Sequence, residues 1–167
     1  TAAAALSPTA ASPVVVFVMP GTYAEQSLQI PDYVDLVGVS RGACIIKHTS
    51  TNYDGVNAPT SALVEAPYNS TIANLTIWNT RGTYPSCALV LGYVRNPVGF
   101  TSNKQTIINC DILGSHADTL IVYNSSSVSS VDKVNFTDCY VEGLFDSASV
   151  CPDRSDSVYR FYGCTIK

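Results

Sequence analysis

Ile107-Ile108-Asn109-Cys110-Asp111-Ile112, Phe136-Thr137-Asp138-Cys139-Tyr140-Val141 and Phe161-Tyr162-Gly163-Cys164-Thr165-Ile166 are three copies of one short pattern. Each has a large apolar residue, two spacers, a cysteine, one spacer and a β-branched aliphatic. Ile72-Ala73-Asn74-Leu75-Thr76-Ile77 fits the same frame with Leu in place of Cys. From Leu75 to Cys110, to Cys139, to Cys164, the spacing shortens at every step. A fixed strand motif at unequal spacing predicts a solenoid whose strands stack while its loops vary in length. Within each unit, alternation along a strand puts the cysteine and the following aliphatic on one face. Units stacked about 4.8 Å apart make Leu75, Cys110, Cys139 and Cys164 a column inside the coil.

Strand-like segments fill the chain around these copies. They are Val14–Val18, Val34–Val39, Cys44–Lys47, Ser61–Val64, Ile72–Trp78, Cys87–Leu91, Thr106–Ile112, Thr119–Tyr123, Val134–Val141 and Val158–Ile166. Pro-Gly, Gly, Asn and Ser clusters separate them. No long segment carries a 3.6-residue period. The Ala-Leu run of Thr1–Pro13 reads as the end of a helix that Pro8 and Pro13 then stop. The Ser-rich stretch Asn124–Lys133 is expected to bulge as a loop between coils. Only 13% of residues are charged against 46% hydrophobic, so Ser, Thr and Asn must supply most of the polar surface. That balance suits an all-β chain.

A net charge of −4 argues against a nucleic-acid partner or an anionic membrane surface. The longest apolar run, Val14–Met19, is too short to span a bilayer. Six cysteines without a CxxC pair make a zinc or redox site a weak reading. A buried ladder of small apolar side chains is the plainer one, with disulfides elsewhere, through Cys87 or Cys151, as its alternative. Four sequons, at Asn69, Asn74, Asn124 and Asn135, fit an extracellular glycoprotein. Ten asparagines among so many Ser and Thr would produce about two by chance, which blunts that signal.

Four stretches, in order, resemble the pectinesterases, secreted β-helix enzymes that remove methyl esters from pectin. Pro20-Gly21-Thr22-Tyr23-Ala24-Glu25 resembles the early P-G-x-Y-x-E turn. Ser61-Ala62-Leu63 followed by Ile72–Thr80 is similar to the S-A-T…A-R-D-I-T-F-x-N-T segment. Asp118-Thr119-Leu120 resembles Q-D-T-L, and Cys139–Asp146 resembles C-x-I-x-G-T-V-D. The resemblance covers most of residues 14–150. It implies Asp146 as the nucleophile on an ester carbonyl and Asp118 as the general acid/base. In that family two Gln side chains stabilise the oxyanion and an Arg orients the nucleophile. A carboxylate nucleophile needs such preset donors.

This chain departs from the pattern at those donors. Pro85 stands where the first Gln is expected (Ser86 or Cys87 if the register slips), and Ala117 where the second is. His116, one residue further back, is the nearby polar substitute. Ser147-Ala148-Ser149-Val150 replaces the family's apolar segment after the nucleophile, and no L-G-R-P-W segment with its Arg occurs up to Lys167. The gap from Asp118 to Asp146 is longer than the resemblance implies, and the Asn124–Lys133 loop would absorb the excess. Loss of one oxyanion donor costs around 10²–10³ in rate. The bland alternative for both aspartates is a turn cap or an exposed strand end. Trp78 and the tyrosines suit stacking on sugar rings, though such residues more often cover solenoid flanks. Arg81, Arg95 and Lys104 are cations for an acidic polysaccharide, though scattered along the chain; His48 reads as a surface residue.

Taken together, residues 1–167 are expected to be one partial right-handed parallel β-helix domain, single-stranded and all-β, with its coils over 14–167. It is expected to belong to a larger protein, because open coil ends are unpaired sheet edges that need capping or pairing. No cofactor and no metal are implied. The expected partners are a polysaccharide, other chains of the same assembly, or a second copy through the coil ends. The expected place is extracellular, with a virion surface as the alternative. A non-catalytic structural or recognition module leads; an active carbohydrate esterase with an altered oxyanion site is the rival.

Overall fold

The computed structural model describes residues 6–25, 27–49, 62–66, 69–82, 87–91, 102–115, 119–123, 131–143, 148–151 and 158–167. Strands numbered along the chain sort into three sheets. The first holds β1 (Val14–Val18), β4 (Val34–Gly38), β7 (Thr71–Ala73), β10 (Ser102–Ile108), β13 (Val131–Thr137) and β16 (Val158–Tyr162), in that order. The second holds β2 (Gly21–Tyr23), β5 (Cys44–His48), β8 (Thr76–Asn79), β11 (Asp111–Gly114), β14 (Tyr140–Glu142) and β17 (Thr165–Ile166). The third holds β3 (Leu28–Gln29), β6 (Val64–Ala66), β9 (Leu89–Leu91), β12 (Leu120–Tyr123) and β15 (Ala148–Cys151). All pairings between them are parallel. Each coil lays one strand on each sheet in turn, which is a right-handed parallel β-helix, the hand that parallel crossovers adopt.

Side chains alternate in and out, and the inward set makes one continuous core. Val34, Leu36, Ile72, Ile107, Val134 and Phe136 fill it from the first sheet, Ile46, Ile77, Ile112 and Val141 from the second, and Val64, Leu89, Leu91 and Leu120 from the third. Burial of each large side chain contributes about 1.5–3 kcal/mol. Phe136 stacks face to face on Phe161 one coil on, with ring centroids 4.5 Å apart. Gln105 is the largest of the polar residues buried among these layers. It is fully buried, and its Nε2 donates to the Ala66 carbonyl across the coil.

Each copy of the repeated pattern turns out to span two strands rather than one. Between them stands a single residue in the left-handed region: Asn74 (φ 57), Asn109 (φ 50), Asp138 (φ 53) and Gly163 (φ 61). Asn, Asp and Gly are the residues that adopt this conformation at least cost. The corner it makes turns the chain from the first sheet to the second and resets the alternation, so Ile107, Cys110 and Ile112 all face inward. The corner residues also stack, Asn109 Nδ2 donating to Asn74 Oδ1 at 2.9 Å. The expected column is present, since Leu75, Cys110 and Cys139 are buried and Cys164 half-buried. Alternation puts each cysteine and its following aliphatic on one face, and the one-residue corner adds the large apolar residue before them. Cys44, one residue ahead of the pair Ile45↔Thr76, extends the column by another coil.

Two other expectations are narrowed in their bounds. Residues 6–13 form no helix but a turn closed by an antiparallel bridge, Thr9↔Ser12. Pro8 and Pro13 cannot donate to a helical ladder, whereas the Thr9 hydroxyl accepts the Ser12 N–H at 3.2 Å. Residues 1–5 lie outside the described set. The expected Asn124–Lys133 loop overlaps β13, which begins at Val131; residues 124–130 lie outside the described set.

Candidate functional site

The second corner, from the second sheet to the third, is built differently. Between β11 and β12 the chain passes through residues 115–119, and between β14 and β15 through 143–147. Asn79, fully buried at the end of β8, pins the corner one coil earlier. Its Nδ2 donates to the Cys87 carbonyl at 2.9 Å and its Oδ1 accepts the Arg81 N–H at 3.1 Å. The Asn79 carbonyl takes the Ser115 N–H at 3.1 Å, and the Thr119 carbonyl takes those of Ala88 and Leu89. Thr119 is wholly buried against Gly114, where a Cβ would collide with the Thr119 hydroxyl. The Thr119 Oγ1 has no hydrogen-bond partner among the described residues.

Outside this corner lies a groove of about 390 Å³, lined by Trp78, Leu113, Gly114, Ser115, Glu142 and Gly143. Register makes it: Lys47, Trp78, Leu113 and Glu142 occupy one outward row on successive rungs of the second sheet. Glycine at 114 and 143 leaves the groove floor without side chains. Lys47 Nζ sits 3.9 Å over the Trp78 ring and fixes the indole from one side, an arrangement favoured by the ring quadrupole. Glu142 is held at the far wall by the Tyr140 hydroxyl at 2.5 Å. An aromatic wall, an open floor and a carboxylate can take a sugar ring by stacking and hydroxyl hydrogen bonds.

Asp118, Asp146 and His116, the residues singled out in the sequence, lie outside the described set, as do Pro85 and Ala117. The described residues nearest them are the groove residues Ser115 and Gly143 and the paired residues Leu120 and Ala148. Trp78 was legible as a sugar-stacking candidate, but its partners Leu113 and Glu142 were not. They lie one and two coils further along the chain, and only the register brings them together.

The thiol column is the other concentration of reactive groups. Cys44, Cys110, Cys139 and Cys164 carry free thiols, and the Cys87 thiol lies 3.4 Å from the Leu89 carbonyl. The Cys151 side chain lies outside the described set. A hydrogen bond from the Cys110 thiol lowers Cys139 to about 7, while the same contact and burial keep Cys110 well above the ordinary thiol range. Burial raises Cys164. Among the described residues no three His, Cys, Asp or Glu side chains converge as metal ligands do.

The sequence matches no family model and no curated protein. Solved structures match it closely in fold. A pectin methylesterase from Yersinia enterocolitica superposes with a TM-score of 0.65 at 22% identity, covering 98% of this chain and 52% of its own. One from Erwinia chrysanthemi gives 0.58 at 16% identity, covering 95% and 60%. A pectin methylesterase in complex with a hexasaccharide gives 0.58 at 15% identity, covering 96% and 60%. This chain spans about half to three fifths of the length of these proteins. At such identities the likeness establishes the fold, a divergent pectinesterase-like β-helix.

Proposed function

We propose that the chain is a non-catalytic pectinesterase-like β-helix module with a structural or glycan-recognition role in a larger extracellular or fibre/spike assembly. The observation that carries this reading is a pairing of presence and loss at one corner. The Trp78 groove offers a sugar-sized platform where the chain enters the Asp118 and Asp146 segments. The sequence there supplies Pro85 and Ala117, neither with a side-chain donor, where the resemblance requires oxyanion donors. A structural neighbour bound to a hexasaccharide supports glycan recognition on this scaffold. Exposed Phe17 and Met19 on the first coil, and Tyr162 and Ile166 on the sixth, support association through coil ends with other chains.

The rival reading, an active carbohydrate esterase, is favoured by one observation. Asp118 and Asp146 each stand two residues ahead of a member of the pair Leu120↔Ala148. Their separation therefore equals the advance of one coil at that edge. One experiment separates the two. The full chain is assayed for methanol release from methyl-esterified pectin and, in parallel, for binding of the same pectin. The proposal expects binding that weakens in Trp78→Ala, with no methanol release above background. Methanol release that vanishes in Asp146→Asn would establish the esterase instead.

A further inference from the structure

Four free thiols line the first corner inside the coil, and three of them stand on consecutive rungs. The Tyr140 N–H donates to the Cys110 carbonyl and the Thr165 N–H to the Cys139 carbonyl, each at 2.9 Å. With the pairs Asp111↔Tyr140 and Tyr140↔Thr165, these bonds set Cys110, Cys139 and Cys164 over one another. The three side chains also point alike. Cys110 Sγ lies 3.2 Å from the Ile108 carbonyl, Cys139 Sγ 3.3 Å from that of Thr137 and Cys164 Sγ 3.4 Å from that of Tyr162. Neighbouring strands run about 4.8 Å apart, and a disulfide spans Cα atoms roughly 4.4–6.8 Å apart. Adjacent thiols of the column therefore stand within bridging reach, with one χ1 rotation needed to bring two sulfurs together. Cys44 belongs to the same column but is cut off from Cys110 by Leu75, which occupies the rung between them. The chemistry singles out one member. The Cys110 thiol donates to Cys139 and lowers it to about 7, so near neutral pH Cys139 is in large part the nucleophilic thiolate, with a protonated thiol beside it. Cys110 and Cys139 are 0% and 2% exposed, which leaves a route only to an oxidant little larger than water.

We propose that Cys110 and Cys139 are a peroxide-sensitive pair that closes into a reversible disulfide, clamping the fourth coil to the fifth. The Cys139 thiolate attacks one oxygen of hydrogen peroxide; the O–O bond breaks, hydroxide leaves, and Cys139 becomes a sulfenic acid. The Cys110 sulfur then attacks the Cys139 sulfur, the S–O bond breaks, and the Cys110 proton leaves with the departing hydroxide as water. The first hydroxide takes up the proton that Cys139 gave up on ionising. Two thiols lose two electrons in all, and one peroxide becomes two waters. A dithiol reductant reverses the bridge by exchange. Cross-linking one coil to the next restricts the unfolded chain, so oxidation stabilises the fold. The pair lies inside the first corner, and its oxidation is independent of whether the Trp78 groove takes a glycan.

The test exposes the folded full chain to hydrogen peroxide, alkylates the remaining thiols under denaturing conditions and maps the peptides by mass spectrometry. A linked Cys110–Cys139 pair is expected, with Cys44 still alkylated. The urea midpoint should rise on oxidation and return after treatment with dithiothreitol. Cys110→Ala should slow the loss of the Cys139 thiol roughly tenfold, because Cys139 then lacks the donor that keeps it ionised. The peptide map of the parent chain decides the matter without that variant, whether or not the variant folds. Cys110 and Cys139 both fully alkylated after a peroxide dose that consumes free cysteine would overturn the inference. So would Cys139 bridged to Cys164 as the main product, or oxidation of Cys44 as fast as that of Cys139.

Discussion

The first and second corners of each coil are built on opposite plans. From the third coil onward the first corner is one left-handed residue followed by an inward Leu or Cys, repeated without change. The strands on either side of it consequently advance in step. Ile72 to Ile107 before the corner is the same advance as Ile77 to Ile112 after it, and the next two coils repeat that equality. Across the second corner the step is lost. Leu89 to Leu120 on the third sheet is shorter than Ile77 to Ile112, and Leu120 to Ala148 is shorter than Ile112 to Val141. A corner of one residue leaves no slack, so it transmits register; a corner of several residues absorbs insertions and can carry groove walls and carboxylates. In this molecule the rigid edge stacks amides and thiols, while the adaptable edge holds the Trp78 groove and leads to Asp118 and Asp146.

The sharpest way to break this comparison is through the core that the rigid corner aims. Phe136→Ala should cost about 3–5 kcal/mol in urea unfolding, because the ring is fully buried and stacked on Phe161. Trp78→Ala, on the outer side of the adaptable edge, should cost roughly 1 kcal/mol or less and leave the far-ultraviolet spectrum unchanged. Equal losses from the two substitutions would mean that the groove is part of the core.

Glycine substitutions sharpen the contrast at the next level. A Cβ at Gly38 would meet the Asn74 backbone carbonyl of the following coil, an atom of the rigid ladder that cannot swing aside. Gly38→Ala should destabilise by about 1–3 kcal/mol, and no single side-chain change should rescue it. A Cβ at Gly114 meets the Thr119 side chain instead, so Gly114→Ala should be relieved in large part by Thr119→Ala. A double-mutant cycle on thermal midpoints measures the difference.

Smaller effects test the corner itself. Asn109→Ala should cost about 1–2 kcal/mol through its left-handed backbone and its lost hydrogen bond to Asn74, and Asn109→Gly less, because glycine keeps the backbone at ease. Equal costs for both would assign the effect to the hydrogen bond alone. The thiol column should show one group ionising near pH 7 in a thiolate absorbance titration, missing in Cys139→Ala. Because folding depresses Cys139, its contribution to stability is present above the ordinary thiol value and is lost as pH falls through about 7. Cys164 and Cys110, raised by folding, contribute below the ordinary value and lose that contribution as pH rises. Cys110→Ala should move the Cys139 midpoint upward by removing its donor.

Much of the fold was legible because it is written locally. Ile107, Cys110 and Ile112, with their counterparts in the other copies, announce an inward set whatever the distance between copies, since burial is decided by each residue's own polarity. The break inside every copy was less visible. Asn109 and Asp138 look like ordinary spacers in a strand, and their left-handed backbone is a choice made only once the second sheet has to close against the first. From Leu6 to Pro13 the chain holds no helix, since Pro8 and Pro13 give way to the Thr9–Ser12 turn.

Sequence by itself determined the solenoid, its buried column and the aromatic and carboxylate candidates, because hydrophobic alternation and motif order need no knowledge of distant neighbours. Only the tertiary structure decided which outward residues share a face. Trp78 comes to line one groove with Glu142, and Lys104 to share a row with Lys133, through coil advances that differ from turn to turn because the connections differ in length. Register between parallel strands is fixed by hydrogen bonds and core packing across the coil, so a surface assembled from successive rungs exists only after the chain has wound.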